Sequence, residues 1–227
     1  MLKIPAPRSA RIVAFGYGLT SYLVHWIAIV YAIGFFANIG VPKSVDIGPT
    51  RNPLQAFLVN TFLALVFAIV HWLMAREWFK VWWTRIVPPP VERSTYVLIA
   101  SLLLGLLFWA WSPIVSEVWS VHHPVASAAL VTLYAAGWLL AIVGTFPINR
   151  RDLFGMRQVY LYLRGLLYTP PEVRDSLLYR LIPHPIFIGY AIALWATPWM
   201  TIGHALLAVI LSAFLVIDVW LAARQPG

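Results

Sequence analysis

The 227 residues contain no cysteine, which excludes disulfides, thiolate metal sites and a cysteine nucleophile. Charge is scarce as well: Asp, Glu, Lys and Arg make up 11% of the chain, against a 61% hydrophobic share and a mean hydropathy of +0.80. A water-soluble globule does not have that balance, so lipid is the solvent for most of these residues. No internal repeat and no low-complexity stretch is visible. The apolar run after Arg11 is too long for a signal peptide and lacks a small-residue cleavage site, so the first span is expected to persist. A net charge of +8 would suit nucleic acid only on a polar domain with a basic face. Here the basic residues stand between apolar runs, and no nucleic-acid partner is expected.

What is present in quantity is long apolar sequence. A bilayer crossing needs about 20 residues, and such stretches lie near 12–38, 54–75, 95–112, 125–148, 185–199 and 203–223. The expected fold is an all-α polytopic membrane bundle of five to six transmembrane helices, a single integral membrane domain over 1–227. The fifth stretch is short and is joined to the sixth through Pro198 to Gly203, which predicts a C-terminal helical hairpin that need not cross fully. Pro88-Pro-Pro90 and Pro170-Pro171 break the chain between spans, and Ser94 is a plausible N-cap for the run that begins at Tyr96.

Orientation follows from the placement of positive charge. Lys43 and Arg51 fall on one side of the predicted spans and the other fourteen lysines and arginines on the opposite side. The positive-inside rule then makes both termini, 76–93 and 149–184 cytoplasmic, in a bacterial inner membrane. Trp78, Trp82, Trp83, Tyr160, Tyr162 and Tyr168 lie in those segments, which suits aromatic rings at headgroup level. The polar, patterned run Asn149–Arg164 predicts an interfacial helix under the bundle.

Several groups invite a functional reading. Asp218 is an acid within the last helix, a functional candidate by default but near enough to the interface to snorkel or pair with Arg224. His184 between two prolines opens the fifth helix, whose unpaired first-turn amides could hold an anion. His25 and His71 would suit a haem or pigment, but counting about 1.5 Å per residue puts them at different depths, so one haem does not join them. His122-His123 supports no more than adventitious metal binding, and no metal site is expected.

The blocks Tyr31-Ala-Ile-Gly-Phe, Val41-Pro-Lys-Ser, His71 with Met74-Ala-Arg76, Val87-Pro-Pro-Pro with Glu92-Arg-Ser-Thr-Tyr-Val97, Asp152-Leu-Phe-Gly-Met-Arg-Gln158, Tyr168-Thr-Pro170, and Trp195-Ala-Thr-Pro with Met200-Thr-Ile-Gly-His204 together resemble the methanethiol S-methyltransferase family, which groups with isoprenylcysteine carboxyl methyltransferases and nurim-like proteins. The resemblance covers nearly the whole chain. It implies methyl transfer from S-adenosylmethionine to a small thiol, with the cofactor near an Arg-His-Pro motif and a later Glu-Glu pair. Carried over to this chain, it places a cofactor-binding pocket at Arg157, Gln158, His184, Pro185, Gly189 and His204.

The departures fall at the same positions. Pro183 stands where the family has the arginine, Ala222 and Ala223 where it has the glutamates, Arg150 where a histidine is usual, and the family's C-terminal tail does not follow Gly227. Their joint loss leads to an expected non-catalytic scaffold without cofactor, an accessory subunit of other integral membrane proteins, such as an electron-transfer or photosynthetic complex. The alternative is an active S-adenosylmethionine-dependent methyltransferase acting on a small thiol or lipid-like substrate.

Overall fold

A computed structural model describes residues 6–170 and 176–222. Helix α1 (Arg8–Ala37) runs 30 residues, about 45 Å, well beyond the roughly 30 Å hydrocarbon layer, so it tilts or overhangs. It stops at Asn38, whose left-handed backbone (φ 58°) returns its N–H to Gly34 O. Helix α2 (Pro53–Met74) starts with Pro53 in its first turn and the Asn52 side chain accepting from Leu54 N–H at 3.0 Å. A seven-residue helix, α3 (Glu77–Trp83), with no buried residue, follows at once. A 3₁₀ turn over Pro89–Val91 then leads into α4 (Glu92–Ala110). The helix therefore begins at Glu92, and Ser94 is a buried residue inside it rather than its N-cap.

Strand β1 (Glu117–Ser120), α5 (Pro124–Gly144), α6 (Arg150–Leu153), α7 (Met156–Leu163), α8 (Leu177–Leu181), α9 (Pro185–Trp195), strand β2 (Trp199–Thr201) and α10 (Ile202–Ala222) complete the order. Among the described residues five helices are long and apolar enough to cross a membrane: α1, α2, α4 with its 3₁₀ turn, α5 and α10. At 11 residues, α9 spans about 17 Å, half a bilayer. The stretch 185–199 is thus a half-length helix, and its hairpin with α10 turns through β2, which pairs antiparallel with β1.

Small residues let these helices approach closely. Gly189 of α9 lies on Gly137 and Ala141 of α5: a Cβ at Gly189 would stand 2.5 Å from Ala141 N and 2.6 Å from Gly137 O. That contact fixes α9, and so its first turn, against a true span. Elsewhere α4 packs between α1 and α2, α10 packs on α2, and α7 lies against α1. The buried aromatic core joins Phe35, Phe108 and Trp111, with Phe35 and Phe108 ring centres 4.5 Å apart and Trp111 Nε1 donating to Val45 O at 3.0 Å.

Candidate functional site

The helices enclose a cavity of about 460 Å³, within the size range of small-molecule sites. Its walls come from α1, α2, α4, α5, α9 and α10, with Leu153 of α6 added. Most of the lining is apolar: Phe36, Phe67, Leu104, Trp138, Leu194 and Phe214 are typical. The polar groups among the lining residues are therefore conspicuous. His71 of α2 faces Tyr96 of α4, whose hydroxyl lies 3.1 Å from Nε2 and 3.3 Å from Nδ1. His25 of α1 stacks on Phe154 at 4.3 Å and has Nδ1 3.5 Å from Ser101 Oγ.

These two histidines line one cavity, contrary to the depth count from sequence. Their neighbours Tyr96 and Ser101 are five residues apart on α4, a separation of about 8 Å along the axis. The count took the two helices singly and upright, whereas α4 packs between α1 and α2 and carries the neighbours of both histidines. Asp218 also lines the cavity, and its partner is Arg76, between α2 and α3, which ion-pairs with it and stacks over Trp72 at 4.7 Å. The expected partner Arg224 lies outside the described residues, as do Ala223 and Gly227. Another lining residue, Trp72, carries a buried indole N–H with no acceptor among the described residues.

Residues of the expected pocket fall into three places. Arg157 and Gln158 open α7, a helix that begins after Gly155 in the left-handed region (φ 80°). Gln158 Oε1 accepts from Arg93 N–H at 3.4 Å, and Arg157 donates to Thr169 O at 2.9 Å and lies 3.8 Å from Asp152. Asp152 is the buried hub there: Arg93 pairs with it and Tyr168 donates its hydroxyl at 2.9 Å. Burial, then the bond to Asp152, raises the Tyr168 phenol above its ordinary value, so it stays a donor.

His184, Pro185 and Gly189 belong to the first half of α9. His184 caps the helix in a left-handed conformation (φ 51°) and is exposed, with its ring stacked on Phe187, which lines the cavity. His204 is at the other end. Its Nε2 donates to Leu194 O at 3.0 Å and its backbone N–H to Thr201 Oγ1 at 3.1 Å. Thr201 Oγ1 donates to Asp46 Oδ1 at 2.5 Å, and Asn38 Nδ2 donates to Asp46 Oδ2 at 2.8 Å. The structure thus places His204 at the C-terminal end of α9, away from His184 and Pro185 at its start. Sequence reasoning gave no role to Tyr96, Ser101 or Arg76; the signal available for them was helical spacing from His25, His71 and Asp218 toward a shared interior.

Among the described residues no cluster of three or more His, Asp or Glu could hold a metal ion. No protein-family model and no solved structure matches the chain. Curated relatives do. The chain is 43% identical over 98% of its length to methanethiol S-methyltransferase 1 of Bradyrhizobium diazoefficiens, covering 78% of that protein. It is 46% identical over 92% of its length to methanethiol S-methyltransferase of Mycobacterium tuberculosis, covering 86% of it. Nurim of Bos taurus is 28% identical over 95% of the chain and 86% of its own length.

These similarities correct the expectation of a non-catalytic accessory subunit. That expectation weighed the losses at Pro183, Ala222 and Ala223 and missed the charged pair that the fold brings to the cavity from two distant points, Arg76 and Asp218. Enzyme relatives align across nearly all of the chain, the substituted positions being departures within that likeness. The chain is a member of the methanethiol S-methyltransferase family of membrane proteins.

Proposed function

We propose that this protein transfers a methyl group from S-adenosylmethionine to a small thiol of the methanethiol class, inside the cavity. The observation that carries the reading is an apolar chamber with Asp218 in its wall, ion-paired to Arg76 at its edge. When bound, the cofactor supplies an electrophilic methyl on a sulfonium. Its amino-acid end bears one carboxylate and one ammonium, and Arg76 and Asp218 offer one complementary charge to each. The indole N–H of Trp72 supplies a donor for a polar ligand. The hydrocarbon lining around His25, His71 and Tyr96 suits a thiol with a single methyl group and excludes the water that would compete with it.

In this reading α9 forms the cofactor-side wall through Phe187 and Tyr190, with Pro185 and Gly189 holding it against α5 and His184 stacked on Phe187. Arg157 and Gln158 hold the segment that carries Leu153 and Phe154 under the chamber. His204 anchors the far end. The basic face is cytoplasmic, as positive charge prefers, in a bacterial inner membrane, so a charged cofactor enters from that face and an apolar thiol arrives from either the membrane or water.

Calorimetric titration of S-adenosylmethionine and S-adenosylhomocysteine into detergent-purified protein, followed by assay of dimethyl sulfide from methanethiol, tests the proposal. One-to-one binding with turnover is the expected result. A folded protein that binds neither compound rejects it.

A further inference from the structure

A thiol reacts as its thiolate, and an alkanethiol is largely protonated near neutral pH. An apolar chamber disfavours its ionisation further, because burial penalises the charged form. The proton therefore needs an acceptor on the cavity wall. Three lining residues could serve: Asp218, His25 and His71. Asp218 is engaged by Arg76. His25 packs against Phe154, ring centres 4.3 Å apart and tilted by 35°, with its Nδ1 3.5 Å from Ser101 Oγ. His71 is exposed and lines the cavity, with the Tyr96 hydroxyl as its one side-chain neighbour within hydrogen-bond distance among the described residues.

We infer that His71 is the base that removes the thiol proton and that Tyr96 is its positioning residue. This rests on the methyl-transfer reading above. The Tyr96 hydroxyl is within hydrogen-bond distance of either ring nitrogen. In the tautomer whose N–H donates to the Tyr96 oxygen, the other nitrogen presents a lone pair to the substrate, and Tyr96 then supports the imidazolium as an acceptor.

The step balances. The thiol S–H bond breaks and its proton goes to the His71 nitrogen. The thiol sulfur forms the new S–CH₃ bond, and the electron pair of the broken C–S⁺ bond returns to the cofactor sulfur, which leaves neutral. One positive charge disappears at the sulfonium as one appears on the imidazole. The chamber's net charge is unchanged, so the cost of a buried imidazolium is offset within the same event. The proton passes to water when the products leave.

A small aryl thiol whose thiolate has its own absorption band reads the proton transfer without turnover. The titratable and charged groups facing His71 are Tyr96 from α4, His25 from α1, Tyr190 from α9 and Asp218 with Arg76. At a pH where the free probe is neutral, wild-type protein is expected to show the thiolate band on binding, and His71→Gln to lose it while still binding S-adenosylhomocysteine. With alkanethiols, kcat of His71→Gln is expected to fall about 10²-fold or more, and the loss is expected to shrink as the thiol becomes more acidic. Tyr96→Phe should weaken the band in part. A thiolate band and alkanethiol turnover that survive His71→Gln, or that vanish only in His25→Gln, overturn the inference. If the variant does not fold, the wild type still decides, because an alkanethiol kcat that does not fall as a single base protonates toward acidic pH also overturns it. Failure of wild-type protein to bind S-adenosylhomocysteine would instead reject the methyl-transfer reading, a separate outcome.

Discussion

Arg76, at the junction of α2 and α3, and Asp218, in α10, form an ion pair on the edge of the cavity although 142 positions separate them in sequence. The Arg76 side chain is 14% exposed and that of Asp218 33%, so neither is a freely solvated surface charge. Replacing Arg76 or Asp218 by Ala is expected to weaken S-adenosylmethionine binding by about tenfold or more, since each loses a charge-assisted contact. The exchange Arg76→Asp with Asp218→Arg should recover part of the thermal stability lost in either single variant without recovering affinity. Calorimetry beside melting curves separates the two effects; affinity that survives both alanine variants assigns the pair to structure alone.

The contact between Gly189 and α5 leads to a second expectation. A methyl at Gly189 meets backbone atoms of Gly137 and Ala141, which cannot give way as a flexible side chain can. Gly189→Ala should therefore cost about 1–3 kcal/mol and shift α9, moving Phe187 at the cavity wall. A lower melting temperature with reduced cofactor affinity is the expected pair of results. An unchanged melting temperature would mean that the two helices are less closely held than the structure has them.

The five long spans were legible because a crossing helix needs length and hydropathy, and α1, α2, α4, α5 and α10 supply both. What was not legible depends on how helices lean on one another. His25 and His71 line one cavity because α1 and α2 both pack on α4, which no count along single helices shows. The strands β1 and β2 escaped notice because each has four residues or fewer, with little apolar alternation. The misjudged function had a related cause: charges missing at 183, 222 and 223 are visible in sequence, whereas Arg76 and Asp218 become a pair only in the fold.

Asp152 concentrates three partners, Arg93, Arg157 and Tyr168. Removing its charge in Asp152→Ala leaves Arg93 without its buried partner and should destabilise by about 3 kcal/mol, loosening α7 from α4. The pH dependence has a definite sign. Burial and the bond to Asp152 raise the Tyr168 phenol in the folded state above its ordinary 10.0. Its contribution to stability is complete below that value and is lost as the pH climbs through the raised folded value. Wild-type melting temperature should fall in that alkaline window more steeply than that of Tyr168→Phe. Parallel curves would deny the phenol this role.

At the opposite end, Asp46 accepts on both carboxylate oxygens, from Thr201 and from Asn38. Asp46→Asn is nearly isosteric, yet it turns an amide NH₂ toward one of two donors. One buried donor then loses its acceptor, which costs about 1–3 kcal/mol. His204 bonds to Thr201 through its backbone, so the effect should reach the start of α10 and appear as a lower melting temperature. Cofactor affinity should hold, because this knot lies a helix length from Arg76. A parallel loss of affinity would tie His204 to the binding site after all.

The orientation is open to a direct chemical test because the chain has no cysteine of its own. Thr50→Cys and Arg85→Cys each place a single thiol at an exposed position on opposite ends of the bundle. With the basic face in the cytoplasm, a membrane-impermeant maleimide should label Thr50→Cys in intact cells and reach Arg85→Cys only after lysis. The reverse pattern would put Arg76 and Asp218 near the outer face, where an intracellular charged cofactor cannot reach them, and would count against the cavity as the site of methyl transfer.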